Sequence, residues 1–147
     1  MSSRFDVENQ LSVAQAFTGA ATVSTHAYEK QTAAQDLSIG RRIALAIYPT
    51  VAAGAGSTHT MEVIQADNAA LTSGVEVLAS KSILAAALTV GSEHELPIPQ
   101  GVMTKKYIGF RNTSTGGTTT VTLDVYIMPQ DEIPKYKSFP KVVDAEV

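Results

Sequence analysis

The sequence predicts an all-β protein, an antiparallel β-sandwich with extended arms at both ends. The clearest observation is the run Thr118 to Met128, in which Val121, Leu123, Val125 and Ile127 fall on one face and Thr120, Thr122, Asp124 and Tyr126 on the other. Period-two alternation over β-branched residues marks a half-buried antiparallel strand. The second observation is that similar short segments recur from Ile43 onward, broken by Gly, Asn, Pro and Ser. Several such runs in one short chain predict a sandwich or barrel. The third is size: 147 residues with 44% hydrophobic content suit one domain with one core.

Taken in order, residues 1–20 read as a lead-in or arm, with Val7, Leu11 and Phe17 as anchors but no firm period. Residues 21–128 form the sandwich. Ala21 to Tyr28 alternates and predicts a first strand, and Lys30 to Ser38 a loop. Arg42 to Thr50 is apolar on both faces, with Ile43, Leu45 and Ile47 opposite Ala44, Ala46 and Tyr48, so it belongs at the centre of a sheet or under cover. Ala52 to Ser57 is a loop, Thr58 to Ala66 a strand, and Asp67-Asn68 a turn. Val75 to Ser80 resumes extended structure. Ile83 to Val90 contains Leu84-Ala85-Ala86-Ala87-Leu88, too short for an independent helix, and reads as a turn or connector. Pro97 and Pro99 place the strand Glu93 to Ile98 at an edge. Lys106 to Asn112 is a strand with Ile108 and Phe110 inward, and residues 112–117 read as a hairpin loop leading into the last strand. The total is seven or eight strands. Residues 129–147, punctuated by Pro129, Pro134 and Pro140 and carrying Tyr136 and Phe139, read as an extended C-terminal arm.

Composition narrows the function. Charged residues make up 17%, against roughly 25% in an average soluble domain, and Thr, Ser and Ala fill the difference. Such a surface suits contact with other protein, and the same composition suits a Thr-rich β protein, since Thr favours strands. A net charge of −3 with scattered Lys and Arg argues against a nucleic-acid partner. There is no cysteine, so disulfides and thiolate metal sites are excluded. The N-terminal residues have no apolar signal-like region, and the apolar run Ile43 to Ala55 is too short to span a bilayer, so no membrane partner is expected.

Nothing in the sequence reads as a catalytic, cofactor or metal site. His26, His59 and His94 lack the spacing of zinc-ligand motifs. In Glu93-His94-Glu95 a strand would point both carboxylates away from the imidazole. Gly54-Ala55-Gly56 lacks the third glycine and the following helix of a dinucleotide fingerprint. No serine elbow is present, and Asp67-Asn68 supplies too few carboxylates for calcium.

A longer pattern is more specific. Leu11-Ser12 with Gln15-Ala16 and then Asp36-Leu37-Ser38-Ile39-Gly40-Arg41 precede the first core strand. Gln65-Ala66-Asp67-Asn68-Ala69-Ala70, Leu78-Ala79-Ser80 and Leu88-Thr89-Val90-Gly91-Ser92 follow. Leu96-Pro97-Ile98-Pro99 and Lys106-Tyr107-Ile108-Gly109-Phe110 complete the order. Over roughly residues 10–128 the chain resembles the capsid cement, or decoration, proteins of tailed phages. The resemblance implies a jelly-roll fold, no catalysis and no cofactor. It implies a place on the exterior of an icosahedral virion head after synthesis in the host cytoplasm. The implied partners are the major capsid protein and further copies of the chain on a symmetry axis, a dimer favoured and a trimer possible. The arms supply the candidate capsid contacts: Arg4, Phe5, Lys135, Tyr136, Lys137, Phe139 and Lys141. Ala44, Ala46 and Tyr48 are the candidate oligomer face, being the second apolar face of their strand. The competing expectation is a carbohydrate- or receptor-binding sandwich on a virion surface, with Tyr48, Tyr107 and Tyr126 as its aromatic platform.

Overall fold

A computed structural model describes residues 9–35, 37 and 41–133. The candidate contacts Arg4, Phe5, Lys135, Tyr136, Lys137, Phe139 and Lys141 lie outside the described residues. The described chain is all-β, with nine strands: β1 (Gln10–Phe17), β2 (Thr22–Val23), β3 (Tyr28–Glu29), β4 (Ile43–Val51), β5 (Ser57–Ala66), β6 (Glu76–Leu84), β7 (His94–Pro97), β8 (Tyr107–Gly116) and β9 (Val121–Pro129). They form two antiparallel sheets. One has the order β1-β9-β4-β7; the other has β2-β8-β5-β6, with β3 also on β8. The pairing is nested: β1 with β9, β2 and β3 with β8, β4 with β7, and β5 with β6.

The core lies between the sheets. Leu45 and Ile47 of β4, Met61 and Val63 of β5, Ile108 and Phe110 of β8, and Val121, Leu123, Val125 and Ile127 of β9 fill it. Alternation therefore grouped the inward residues of β5, β8 and β9 correctly. Phe17 packs edge-on against Phe110, with ring centroids 5.3 Å apart. β4 is interior to its sheet and β7 is at the edge, as its proline predicted.

Several expected boundaries shift. The lead-in is not an arm throughout, because residues 10–17 form β1 and bury Leu11 and Phe17. Its period is hidden by irregularities between Gln10 and Ser12 and between Ser12 and Gln15, where Ala14 adopts a φ of 43°. The single strand expected over Ala21 to Tyr28 is two short ones, β2 and β3. Strand β6 runs on to Leu84, and only Ala85–Ala87 forms a 3-10 turn. Residues 112–116 are not a hairpin loop. They extend β8 along β5, Asn112 facing Met61 and Gly116 facing Ser57, while β9 belongs to the other sheet. The loop that follows crosses between sheets. At the C-terminal end, Pro129 still pairs with Ile43, Gln130–Glu132 makes a 3-10 turn, and Ile133 is fully buried. The segment from Pro129 to Ile133 is thus part of the folded domain.

Candidate functional site

The two outer faces of the sandwich differ in what they offer. On the sheet containing β4, outward residues of neighbouring strands stand in register. Ala44 lies opposite Met128 and Pro97, and Ala46 opposite Tyr126 and Glu95. The small alanines of β4 lie between larger side chains of the neighbouring strands. Ala44, Ala46, Tyr126, Met128 and Ile133 form a buried cluster with Tyr48 packed against it. Of the candidate oligomer face, Ala44 and Ala46 have 0% exposure within the chain. The second apolar face of β4 is buried within the chain, in the cluster with Tyr126, Met128 and Ile133. Tyr48 remains half-buried.

Tyr48 donates to Glu93 Oε2 at 3.0 Å and packs edge-on against Tyr126, with centroids 6.1 Å apart. Burial raises the Tyr48 phenol above its ordinary pKa, and the Glu93 carboxylate raises it further. Burial and the Asp124 carboxylate raise Tyr126, against a lowering by the Gln10 amide, which donates to Tyr126 Oη at 2.9 Å. Tyr107 sits on the other sheet, beside the cluster of Ile64, Ala66 and Leu71. The three tyrosines therefore do not form one platform.

The opposite outer face divides in two. One half is covered by the loop after β5, whose Leu71, at a φ of 58°, seats its side chain on Gly109. A Cβ at position 109 would collide with Leu71, so glycine there is required by close approach. The other half is open and rich in hydroxyls. Thr58 faces Thr115, Thr60 faces both Thr113 and Ser82, and Glu62 faces Arg111 and Ser80. Glu62 and Arg111 are joined at 2.7 Å, so the charges at this place neutralise each other. Part of the Thr and Ser content noted in the sequence is here gathered onto one face.

The sheet edges are blunted by a different device at each. Strand β7 has four residues and ends in Pro97, and β2 and β3 have two residues each. Strand β1 is interrupted twice. Strand β6 is long and, among the described residues, unpaired on one side, but Lys81 lies opposite the core residue Met61 and is exposed. A charge projecting on the core side of an edge strand blocks edge-to-edge pairing. Association is left to the faces.

Sequence reasoning missed the buried polar groups, His59 and Lys30 among them. His59 is fully buried between the sheets. Its Nε2 meets Ser57 Oγ at 3.0 Å, and its Nδ1 meets Ser114 Oγ at 2.9 Å and the Asn112 amide at 3.2 Å. Burial lowers the His59 pKa below its ordinary value, partly offset by the Asn112 bond. The signal was in the phase: His59 alternates with Met61 and Val63, and Asn112 and Ser114 with Ile108 and Phe110. Ending β8 at Asn112 hid it. The cluster is closed to solvent and its described members include no carboxylate, so it reads as a structural network. Lys30 is similar. It is 1% exposed, and its Nζ donates to the carbonyls of Ala33, Gln35 and Met103, tying two loops together.

His94 faces inward opposite Ile47, while Glu95 faces outward opposite Ala46, as alternation predicted. Among the described residues no three His, Asp or Glu side chains come together as a metal site. A cleft of about 200 Å³ between Leu37, Tyr28 and Ile43 lies below the roughly 300–1,000 Å³ of small-molecule sites. Two broader depressions, of about 410 and 340 Å³, flank Arg42 and Gln130 on the surface.

A family model described as Bbp16 matches residues 11–127, which is most of the chain. The chain belongs to the Bbp16 family. The match runs from the first buried residue of β1 to the last core residue of β9, so the Bbp16 unit is the two-sheet sandwich itself. No curated protein matches this Bbp16-family chain.

Proposed function

We propose that this Bbp16-family protein is a capsid cement protein, a structural virion component that binds the exterior of an assembled phage head and stabilises the lattice of its major capsid protein. The observation that carries the reading is the open hydroxyl face around Thr58, Thr60, Thr113 and Thr115. It is internally charge-neutral at Glu62–Arg111 and bordered by the guarded β6 edge. Such a face suits a protein partner, since interfaces of this kind are no more apolar than the rest of a surface and rely on complementarity and water-bridged hydrogen bonds. The nested pairing and the two strand orders support a jelly-roll reading of the sandwich, in which a long hairpin is rolled into two four-stranded sheets. The resemblance to cement proteins along residues 10–128 points the same way.

The mechanism is mass action. A molecule that binds only the assembled shell stabilises that shell against dissociation. Each contact need clear only roughly 1,000 Å² to be specific, because many copies act on one lattice. Contact through faces also fits a homo-oligomer, a dimer or a trimer, seated on a symmetry axis.

The test is co-sedimentation with undecorated heads and, separately, with unassembled major capsid subunits. Saturable binding to heads alone, weakened by Thr60→Lys and Thr113→Lys, supports the proposal. Equal binding to free subunits, or no binding to heads, refutes it. A glycan array tests the receptor-binding alternative, and a saturable hit on it would replace the cement reading.

A further inference from the structure

We propose that one end face of the sandwich is a docking surface for a second copy of the chain, the two copies meeting end to end about a two-fold axis. Strands β1, β4, β6 and β8 finish at this end, and β5, β7 and β9 begin there. The pairing fixes it: Phe17 lies opposite Val121, Val51 opposite Thr122, Ile47 opposite His94, Leu84 opposite Thr58 and Gly116 opposite Ser57. The segments gathered at this end are 18–22, 51–57, 84–92 and 115–120. They contain only Ala, Gly, Leu, Ser, Thr and Val, so the end carries no charge. The opposite end holds Arg41, Arg42, Asp67, Lys105, Asp131 and Glu132. Three of the five large apolar side chains exposed among the described residues, Val51, Leu84 and Val90, are at the uncharged end.

Chemistry selects the occupant. Nucleic acid and anionic lipid call for Lys or Arg, and a glycan platform calls for an aromatic ring; these segments have none of them. What remains is protein that is equally uncharged. Near a two-fold axis each side chain faces its own image, so an ionised group there would meet its like. Among the described residues, one outer sheet face carries Glu62 with Arg111 and the other carries Glu95 and Asp124. The uncharged end is the surface that meets its own copy without that repulsion. It is also pre-organised. The Gly54 N–H donates to the Thr120 carbonyl at 3.0 Å, the Ala53 N–H to the Leu88 carbonyl at 3.1 Å and the Gly19 N–H to Thr119 Oγ1 at 3.1 Å, which ties its loops together. Its short side chains lose little rotamer freedom on contact. Four strands and two sheets give the end a cross-section of about 20 by 20 Å. That is below the roughly 800 Å² per partner of a standard interface, so the dimer is weak, with dissociation in the micromolar range.

Sedimentation velocity of the isolated full chain, from about 1 to about 100 µM, reads the monomer–dimer equilibrium. The parent is expected to dimerise reversibly within that range. Val90→Lys and Val90→Glu, each alone, should weaken the dimer at least about tenfold, because like charges then face one another across the axis. Mixing the two variants should restore it, since opposite charges now meet. Val90 is exposed in the turn closed by the Ser92 N–H on the Thr89 carbonyl, so these substitutions leave the core untouched. Val77→Lys, exposed near the opposite end, is the control and should dimerise like the parent. A parent that stays monomeric to about 100 µM, a Val90→Lys chain that dimerises as tightly as the parent, an equal loss in Val77→Lys, or a mixture no better than either variant alone overturns the proposal. Because no capsid takes part, this outcome is independent of the cement reading.

Discussion

Ile133→Ala is the sharpest probe of how the chain ends. The sequence reading placed everything after Met128 in an arm, so that truncation after Gln130 would leave the melt unchanged. The structure puts Ile133 at 0% exposure against Ala44 and Met128. Removing three carbons forfeits about 2.4 kcal/mol at about 0.8 kcal/mol per methylene. A cavity term adds to this, and here collapse is hindered because the floor is Ala44 and Ala46 on the central strand β4, which have no side-chain length to give. A total of about 3–4 kcal/mol follows. For a domain of this size that corresponds to a melting temperature about 10 °C lower. Thermal unfolding followed by far-ultraviolet circular dichroism reads it. Truncation after Gln130 should reproduce the loss, whereas truncation after Ile133 should retain most of the stability. A variant melting within about 2 °C of the parent would refute the reasoning and return residues 129–133 to the arm.

Two other outcomes are expected. His59 is neutral in the fold, with its pKa depressed by burial, so the unfolded chain binds more protons as pH falls below about 6.5. Stability is therefore present above that value and lost as pH drops through the window below it; the melting temperature should fall between pH 7 and 5, and His59→Gln should flatten that slope. Lys81→Val removes the charge that guards the β6 edge and adds β-propensity there, so light scattering should show self-association at micromolar concentration, where the parent shows none through this edge.

The inward faces of β5, β8 and β9 were legible in the sequence because a period of two in the apolar residues leaves its mark residue by residue. The edge position of β7 was legible because Pro97 has no N–H to give a second neighbour. What contact the surface makes was legible only as a composition, rich in Thr and poor in charge. Which sheet each strand joins was not written locally: β8 and β9 are neighbours in sequence yet lie in different sheets, since pairing over long separations is decided by which faces can close together. The same is true of the second face of β4. Sequence showed it apolar and in need of cover, but whether that cover was another copy or Ile133 of the same chain depended on where the 3-10 turn Gln130–Glu132 steers the backbone. The gathering of Thr58, Thr60, Thr113 and Thr115 onto one face likewise needed the register of β5 on β8, because a slip of one residue would have sent half of them into the core.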